Sequence, residues 1–140
     1  MSTLAELPGW ARALLDEQPV ARLAYADADD HPRVLPITFA VAADTVWSAI
    51  DEKPKRTREP ARLRHLARRP AAALCVDRYD EDWTRLAWVQ LLGDVEIVPA
   101  ASAPDALAAL AARYAPYRER EPPGPLLRLV PGRARCWRAA

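Results

Sequence analysis

The sequence predicts a mainly β (α+β) domain, a small antiparallel barrel of six or seven strands with two or three helices packed around it. Three observations predict it. Short runs rich in branched and aromatic residues recur along the chain, each bounded by Gly, Pro or Asp clusters. Two stretches carry apolar residues at helical spacing. Proline accounts for 14 of 140 residues, roughly twice the usual share, which fits many loops.

Residues 3–16 place Leu4, Leu7, Ala11, Leu14 and Leu15 on one helical stripe, with Pro8 in the first turn, where a missing N–H costs little. Residues 20–25 alternate loosely and run into Asp27-Ala28-Asp29-Asp30-His31-Pro32, side chains that bond their own backbone in turns, so a hairpin is expected. Its second arm spans 33–41, and a third arm follows Ala43-Asp44 over 45–50, giving three strands before the next charged segment. Pro36 cannot donate to a ladder, which puts it at an edge, bulge or bend. Leu63 and Leu66 share one face of a short helix ringed by Arg62, Arg64, Arg68 and Arg69. Residues 71–77 form a fourth strand, and 87–98 a long fifth, with Gly93-Asp94 suited to a bulge or tight bend. Leu107, Leu110, Ala111 and Tyr114 line one face of a helix over 103–114. Residues 114–125, with four prolines, read as a loop or extended connector, and the chain closes with 126–130, a Pro131-Gly132 turn, and 133–138.

A chain of 140 residues fits one domain, 1–140. Lys and Arg total 20 against 19 Asp and Glu, a net charge of +1, which disfavours general nucleic-acid binding. No apolar run approaches the ~20 residues that cross a bilayer. The opening residues lack a charged leader followed by an apolar stretch, so the expectation is a cytoplasmic protein without a membrane segment. Cys75 and Cys136 lie in strand-like apolar patterns without paired spacing and read as buried free thiols. His31 and His65 are far apart and have no ligand-spaced neighbours, so no metal site is expected.

The segment between the third strand and the short helix carries the strongest functional signal. Lys53, Lys55, Arg56 and Arg58 put four cations within six residues. Ammonium and guanidinium groups and the free N–H groups of a helix start all attract an anion, and they add when they point into one concavity. Strand, cationic loop, helix and strand in that order can hold the phosphate of a ligand. The ordinary alternative is a solvated surface run.

These residues resemble the split β-barrel flavin and deazaflavin proteins related to pyridoxamine 5′-phosphate oxidase, over nearly the whole chain. Arg33-Val34-Leu35-Pro36-Ile37 looks like that family's arginine-initiated strand, and Trp47-Ser48-Ala49-Ile50 like the strand whose end lies against the isoalloxazine ring. Residues 53–70 are similar to its phosphate loop and short helix, with Arg64-His65-Leu66 and Arg69-Pro70 in the matching places. Residues 51–56, 77–83 and 86–89 together resemble a subgroup of coenzyme F-420-dependent enzymes.

The resemblance implies a split barrel and a homodimer with cofactor sites at the subunit interface. It makes Arg33, Lys53, Lys55 and one of Arg56 or Arg62 contacts to the cofactor phosphate, with Lys53 and Lys55 equal candidates. Pro36, Ile37, Thr38, Ser48, Ala49 and Ile50 would line the ring. Trp88 and Gln90, on one face of their strand, would approach the cofactor from the second subunit, or fill the dimer seam, and Tyr79 and Trp83 would close the pocket. The implied function is a coenzyme F-420-dependent oxidoreductase acting on a small organic molecule, with FMN as the alternative cofactor. No catalytic side chain is required, because the cofactor carries the chemistry. The rival readings are an FMN-binding protein related to pyridoxamine 5′-phosphate oxidase, a non-catalytic carrier of the same cofactors, and an oligonucleotide-binding small barrel. Oxidation of pyridoxamine phosphate itself is disfavoured, because the chain ends at Trp137-Arg138-Ala139-Ala140 without the downstream Arg-Leu-His element.

Overall fold

The computed structural model describes residues 1–50 and 61–140. A short 3₁₀ turn at Leu4–Glu6 leads into α1 (Gly9–Glu17), whose Ala11, Leu14 and Leu15 enter the core. Strands β1 (Ala21–Ala26), β2 (Pro32–Ile37), β3 (Ala40–Ala42) and β4 (Thr45–Ala49) follow. Helix α2 (Ala61–Arg68) buries Leu63 and Leu66. Beyond it come β5 (Ala71–Arg78), β6 (Ala87–Val98), α3 (Pro104–Arg113), α4 (Ala115–Glu119) and β7 (Leu126–Arg138).

The strands form one seven-stranded sheet in the order β2-β1-β5-β6-β7-β4-β3, and every neighbouring pair is antiparallel. This is the split-barrel architecture of the expected α+β class. Strands β2 and β3 occupy opposite edges, yet only Thr38 and Phe39 separate them in sequence. The sheet must therefore curl until its edges nearly meet, and a seam without strand pairing remains where they do. Leu23, Ile37, Val46, Leu74, Val95, Leu127 and Leu129, from six strands, fill the interior. The space left among them is ≈ 10 Å³, smaller than a water's share of liquid volume. The barrel interior is a packed core, and any ligand site lies outside it. A second cluster, Ala106 and Leu110 of α3 on Ala40, Trp47, Ala49 and Leu126, covers the outside of β3 and β4.

Four departures from the sequence reading have physical causes. The arm expected over 33–41 is two strands, because the chain crosses the seam at Thr38-Phe39, so four strands precede the cationic segment. The connector over 114–125 contains α4, with Pro116 in the first turn, where proline is tolerated. Pro131-Gly132 is no turn: β7 runs through it, and the register shifts between Leu92 and Gly93 of β6 so that one residue of β7 is extra. The bulge anticipated at Gly93-Asp94 exists, with its additional residue on the facing strand. A Cβ at Gly93 would overlap the Val130 carbonyl, so glycine is there for the close approach. Finally, the opening helix begins at Gly9 rather than Thr3, with Pro8 as its cap.

The β3–β4 hairpin turns through Ala43 and Asp44 at φ 50° and 58°, the left-handed pair of a two-residue turn. Cys75 and Cys136 are free and half-buried. No helix among the described residues is long and apolar enough to cross a membrane.

Candidate functional site

The seam is where chain atoms without strand partners gather, and side chains from three elements close it. The Ser48 hydroxyl on β4 donates to the Thr38 carbonyl at 2.7 Å. The Thr38 hydroxyl meets the Tyr117 hydroxyl of α4 at 2.8 Å. Tyr114, at the end of α3, accepts from the Phe39 N–H at 3.1 Å, and its hydroxyl lies 2.8 Å from both the Phe39 and Pro19 carbonyls. The Arg113 guanidinium donates to the Phe39 carbonyl at 3.0 Å and to that of Gln18, and lies 4.5 Å over the Phe39 ring. Backbone groups that a barrel would satisfy with a ladder are satisfied here by phenols, a hydroxyl and a guanidinium.

Of the ring-lining residues expected from sequence, Thr38, Ser48 and Ile50 come together at this seam. Ser48 and Ala49 are buried, and the Ser48 hydroxyl is committed to Thr38. Ile37 points into the barrel core, and Pro36 stands exposed on the outer strand. Beside Ile50 a groove of ≈ 350 Å³ opens against Pro116, Tyr117 and Pro122.

Arg33 lies at the other end of β2. Its Nε donates to the buried Asp27 carboxylate at 2.9 Å, and the side chain is 62% exposed. Asp27 also accepts from the Asp29 and His31 N–H groups at 2.9 and 3.0 Å, so one carboxylate shapes the β1–β2 turn and fixes Arg33. The Arg33 hydrogen bond, with those two N–H groups, holds the Asp27 carboxyl at about 2, below its ordinary 3.8. Asp27, Asp29 and His31 bring ligand atoms within 4.8 Å of one another, but the Asp27 oxygens are spoken for by the turn and by Arg33.

Helix α2 caps this end of the barrel. His65 stacks on Tyr25, the cross-strand neighbour of Arg33, at 6.1 Å, and Arg69 just past the helix pairs with Asp30. In the first turn of α2, the buried Nε of Arg62 has no hydrogen-bond partner among the described residues. An orphaned guanidinium donor in a helix's first turn is suited to an anion. Lys53, Lys55 and Arg56 lie outside the described residues.

Trp88 and Gln90 do share the outward face of β6, both half-buried. They pair with Asp77 and Cys75 on one side and with Trp137 and Arg135 on the other. Ser48 is level with Ile97 through Leu127. From the β4 edge of the seam Trp88 is therefore nine residues along β6, roughly 30 Å at ~3.3 Å per residue. From the β2 edge, Gln90 is level with Pro36 through Cys75 and Arg22, three strands across, about 15 Å at ~4.8 Å per strand. Tyr79 and Trp83 are exposed next to the Trp88 end, away from the seam. Burial first, and then the Asp77 carboxylate, push the Cys75 thiol up.

Sequence reasoning did not single out Arg113, Tyr114 or Tyr117 as seam residues. Tyr114 was legible as part of a helical face, but bonds to residues 74–95 positions away leave no local signal.

No curated protein matches this chain. Among solved structures, a conserved hypothetical protein from Mycobacterium tuberculosis superposes with a TM-score of 0.76 at 18% identity, covering 98% of this chain and 87% of that one. An FAD-binding protein from Mesorhizobium loti gives 0.69 at 17% identity, covering 96% of each chain. An F-420 reductase gives 0.67 at 23% identity, covering 92% of this chain and 98% of that one. These likenesses show the fold. The family model described as pyridoxamine 5′-phosphate oxidase matches residues 7–138, a span that holds all seven strands of the sheet, and this chain belongs to that family.

Proposed function

We propose that this chain is a homodimeric oxidoreductase that uses reduced coenzyme F-420, with FMN the alternative, and delivers hydride to an unsaturated or otherwise electrophilic organic molecule. The observation that carries the proposal is the buried Nε of Arg62, without a hydrogen-bond partner among the described residues, in the first turn of the helix that follows the cationic segment in sequence. A phosphate satisfies that donor, and the positive charge of residues 53–58 strengthens the attraction. Family membership and fold neighbours that include an F-420 reductase and an FAD-binding protein support the same reading.

When bound, either ring supplies the hydride chemistry. The chain's own work is binding, orientation and exclusion of water. Arg62, with Lys53 or Lys55, holds the phosphate, and Arg33, kept in place by Asp27, adds a cation from the outer strand. Thr38 and Ile50 present the seam to the ring, and the Ser48–Thr38 and Tyr117–Thr38 bonds keep it from yielding. A second copy brings its Trp88 and Gln90 to the cofactor, as the family resemblance implies; within one chain β1 and β5 stand between Gln90 and the β2 edge of the seam. The outward face they share also carries Ala24, Ala26, Ala71, Ala73 and Leu92, with Val34 67% exposed, an apolar surface fit to be covered.

Titration with F-420 and FMN side by side, followed by absorbance, tests the cofactor. Lys53→Ala with Lys55→Ala should weaken binding by roughly 1.5–3 kcal/mol per lost charge-assisted contact and leave the fold intact. An unchanged dissociation constant for both cofactors would defeat the proposal. Tight binding without turnover over a panel of acceptors would instead identify a carrier.

A further inference from the structure

Strand β5 joins two regions of opposite charge. Helix α2 ends two residues before it and carries Arg62, Arg64 and Arg68, with Arg69 next in the chain and no carboxylate. At roughly 100° per residue, exposed Arg64 and Arg68 share the face of α2 turned away from buried Leu63 and Leu66, and from Arg62. Residues 51–60 hold four Lys and Arg against three Asp and Glu, so the sequence before α2 adds to its positive charge. Beyond the other end of β5, Asp80, Glu81 and Asp82 follow one another in the connection to β6. Asp82 is spent on the Thr84 N–H and hydroxyl, at 3.1 and 2.6 Å, and Asp80 on the Asp82 N–H and the Arg85 Nε, at 2.8 and 3.1 Å. Those bonds fix the loop and leave Glu81, Tyr79 and Trp83 turned to solvent. Between the charged ends, Leu74 and Val76 face the core, and the outward positions are the small residues Ala71, Ala73 and Cys75.

Resting on the homodimeric reading, we propose that a second copy covers this face with its own β5 running antiparallel, and that the loop Tyr79–Trp83 of each copy clasps α2 of the other, Glu81 against Arg68. A two-fold axis lying in the face and crossing β5 midway produces this arrangement and repeats every contact. Charge sets the direction: a parallel arrangement would put arginines on arginines and carboxylates on carboxylates, whereas reversal matches both ends. The same reversal carries Trp88, the β6 neighbour of Asp77, toward α2 of the other copy. Arg68 and Glu81 thus act as positioning residues, which aim the partner's aromatic end at the side of the site where Arg62 stands.

Charge reversal in separate chains tests the clasp. Glu81→Arg and Arg68→Glu, each alone, set like charges together at both ends of the homodimer. Each should weaken dimerisation at least tenfold by sedimentation equilibrium, with the far-UV circular dichroism unchanged because both side chains are exposed. Mixed one to one, the two variants restore an opposite pair at both ends of a heterodimer, and the mixture should dimerise within about threefold of the native protein. A pair within one chain is not repaired by mixing. Unchanged dimer affinity in both variants, or a mixture that dimerises no more tightly than the variants alone, would overturn the clasp and leave the homodimer standing. A native chain that stays monomeric at every concentration measured would overturn both. Recovery on mixing in a protein that binds neither F-420 nor FMN would retain the clasp and sink the cofactor reading.

Discussion

From Ala87 to Val98 every residue of β6 has a partner on β7, whereas across the seam between β2 and β3 no strand pairs and side chains make the bonds. The ladder uses only groups that every residue except proline carries. Many sequences can build it, provided the one close approach, Gly93 on Val130, stays empty. The seam uses groups belonging to Arg113, Tyr114, Tyr117 and Ser48 in particular. A region closed by a few replaceable side chains can be reshaped without disturbing the rest of the barrel, and the candidate site lies there.

The largest expected effect attacks the ladder. Gly93→Ala drives a methyl into the Val130 carbonyl and should cost about 3 kcal/mol or more, read as an unfolding midpoint shift in urea. Tyr114→Phe attacks the seam: the Phe39 N–H loses its acceptor, and the Phe39 and Pro19 carbonyls lose a shared donor. A loss of about 2 kcal/mol is expected, with hydrogen exchange rising at Phe39 and unchanged along β6. Exchange rising equally in both places would erase the distinction between the two regions. Next to the seam, Ala43→Gly relieves a left-handed φ of 50° and should raise stability by about 1 kcal/mol, visible as a higher melting temperature.

The effect confined to acid concerns Asp27. Its folded carboxyl sits at about 2 against an ordinary 3.8. Its stabilising contribution is therefore complete above about 3.8 and is lost as pH falls toward and through 2. The stability difference between the native protein and Asp27→Asn, measured by denaturation from pH 6 to 2, should shrink over that window. A difference constant across it would show that the Arg33 pair does not hold the carboxyl down.

Elements set by local pattern were legible in the sequence. The alternation over 87–98 gave β6 to the residue, and Leu63 and Leu66 marked the inner face of α2. Pro36 called for an edge, a bulge or a bend, and β2 is an edge strand. What escaped depended on distant parts of the chain. Nothing within residues 33–41 says that the strand must leave the sheet at Thr38, because that break is imposed by closure of the curl. The Pro131-Gly132 pair has the composition of a turn, but pairing with Gly93 keeps it in the strand. The candidate site divides the same way: Ser48 and Ile50 were readable at the end of the third arm, Thr38 was named by the family resemblance but placed inside an unbroken arm, and Tyr117, 79 positions from Thr38, was not singled out.

The outer strand β2 has one more consequence. An open sheet border ordinarily invites a foreign strand to join it, the first step toward fibrous aggregation. Here Pro32 and Pro36 offer no N–H to a newcomer, and Arg33 sets a charge between them. The border that a split barrel must leave is thus blunted against runaway polymerisation by the same short run of residues that flanks the seam.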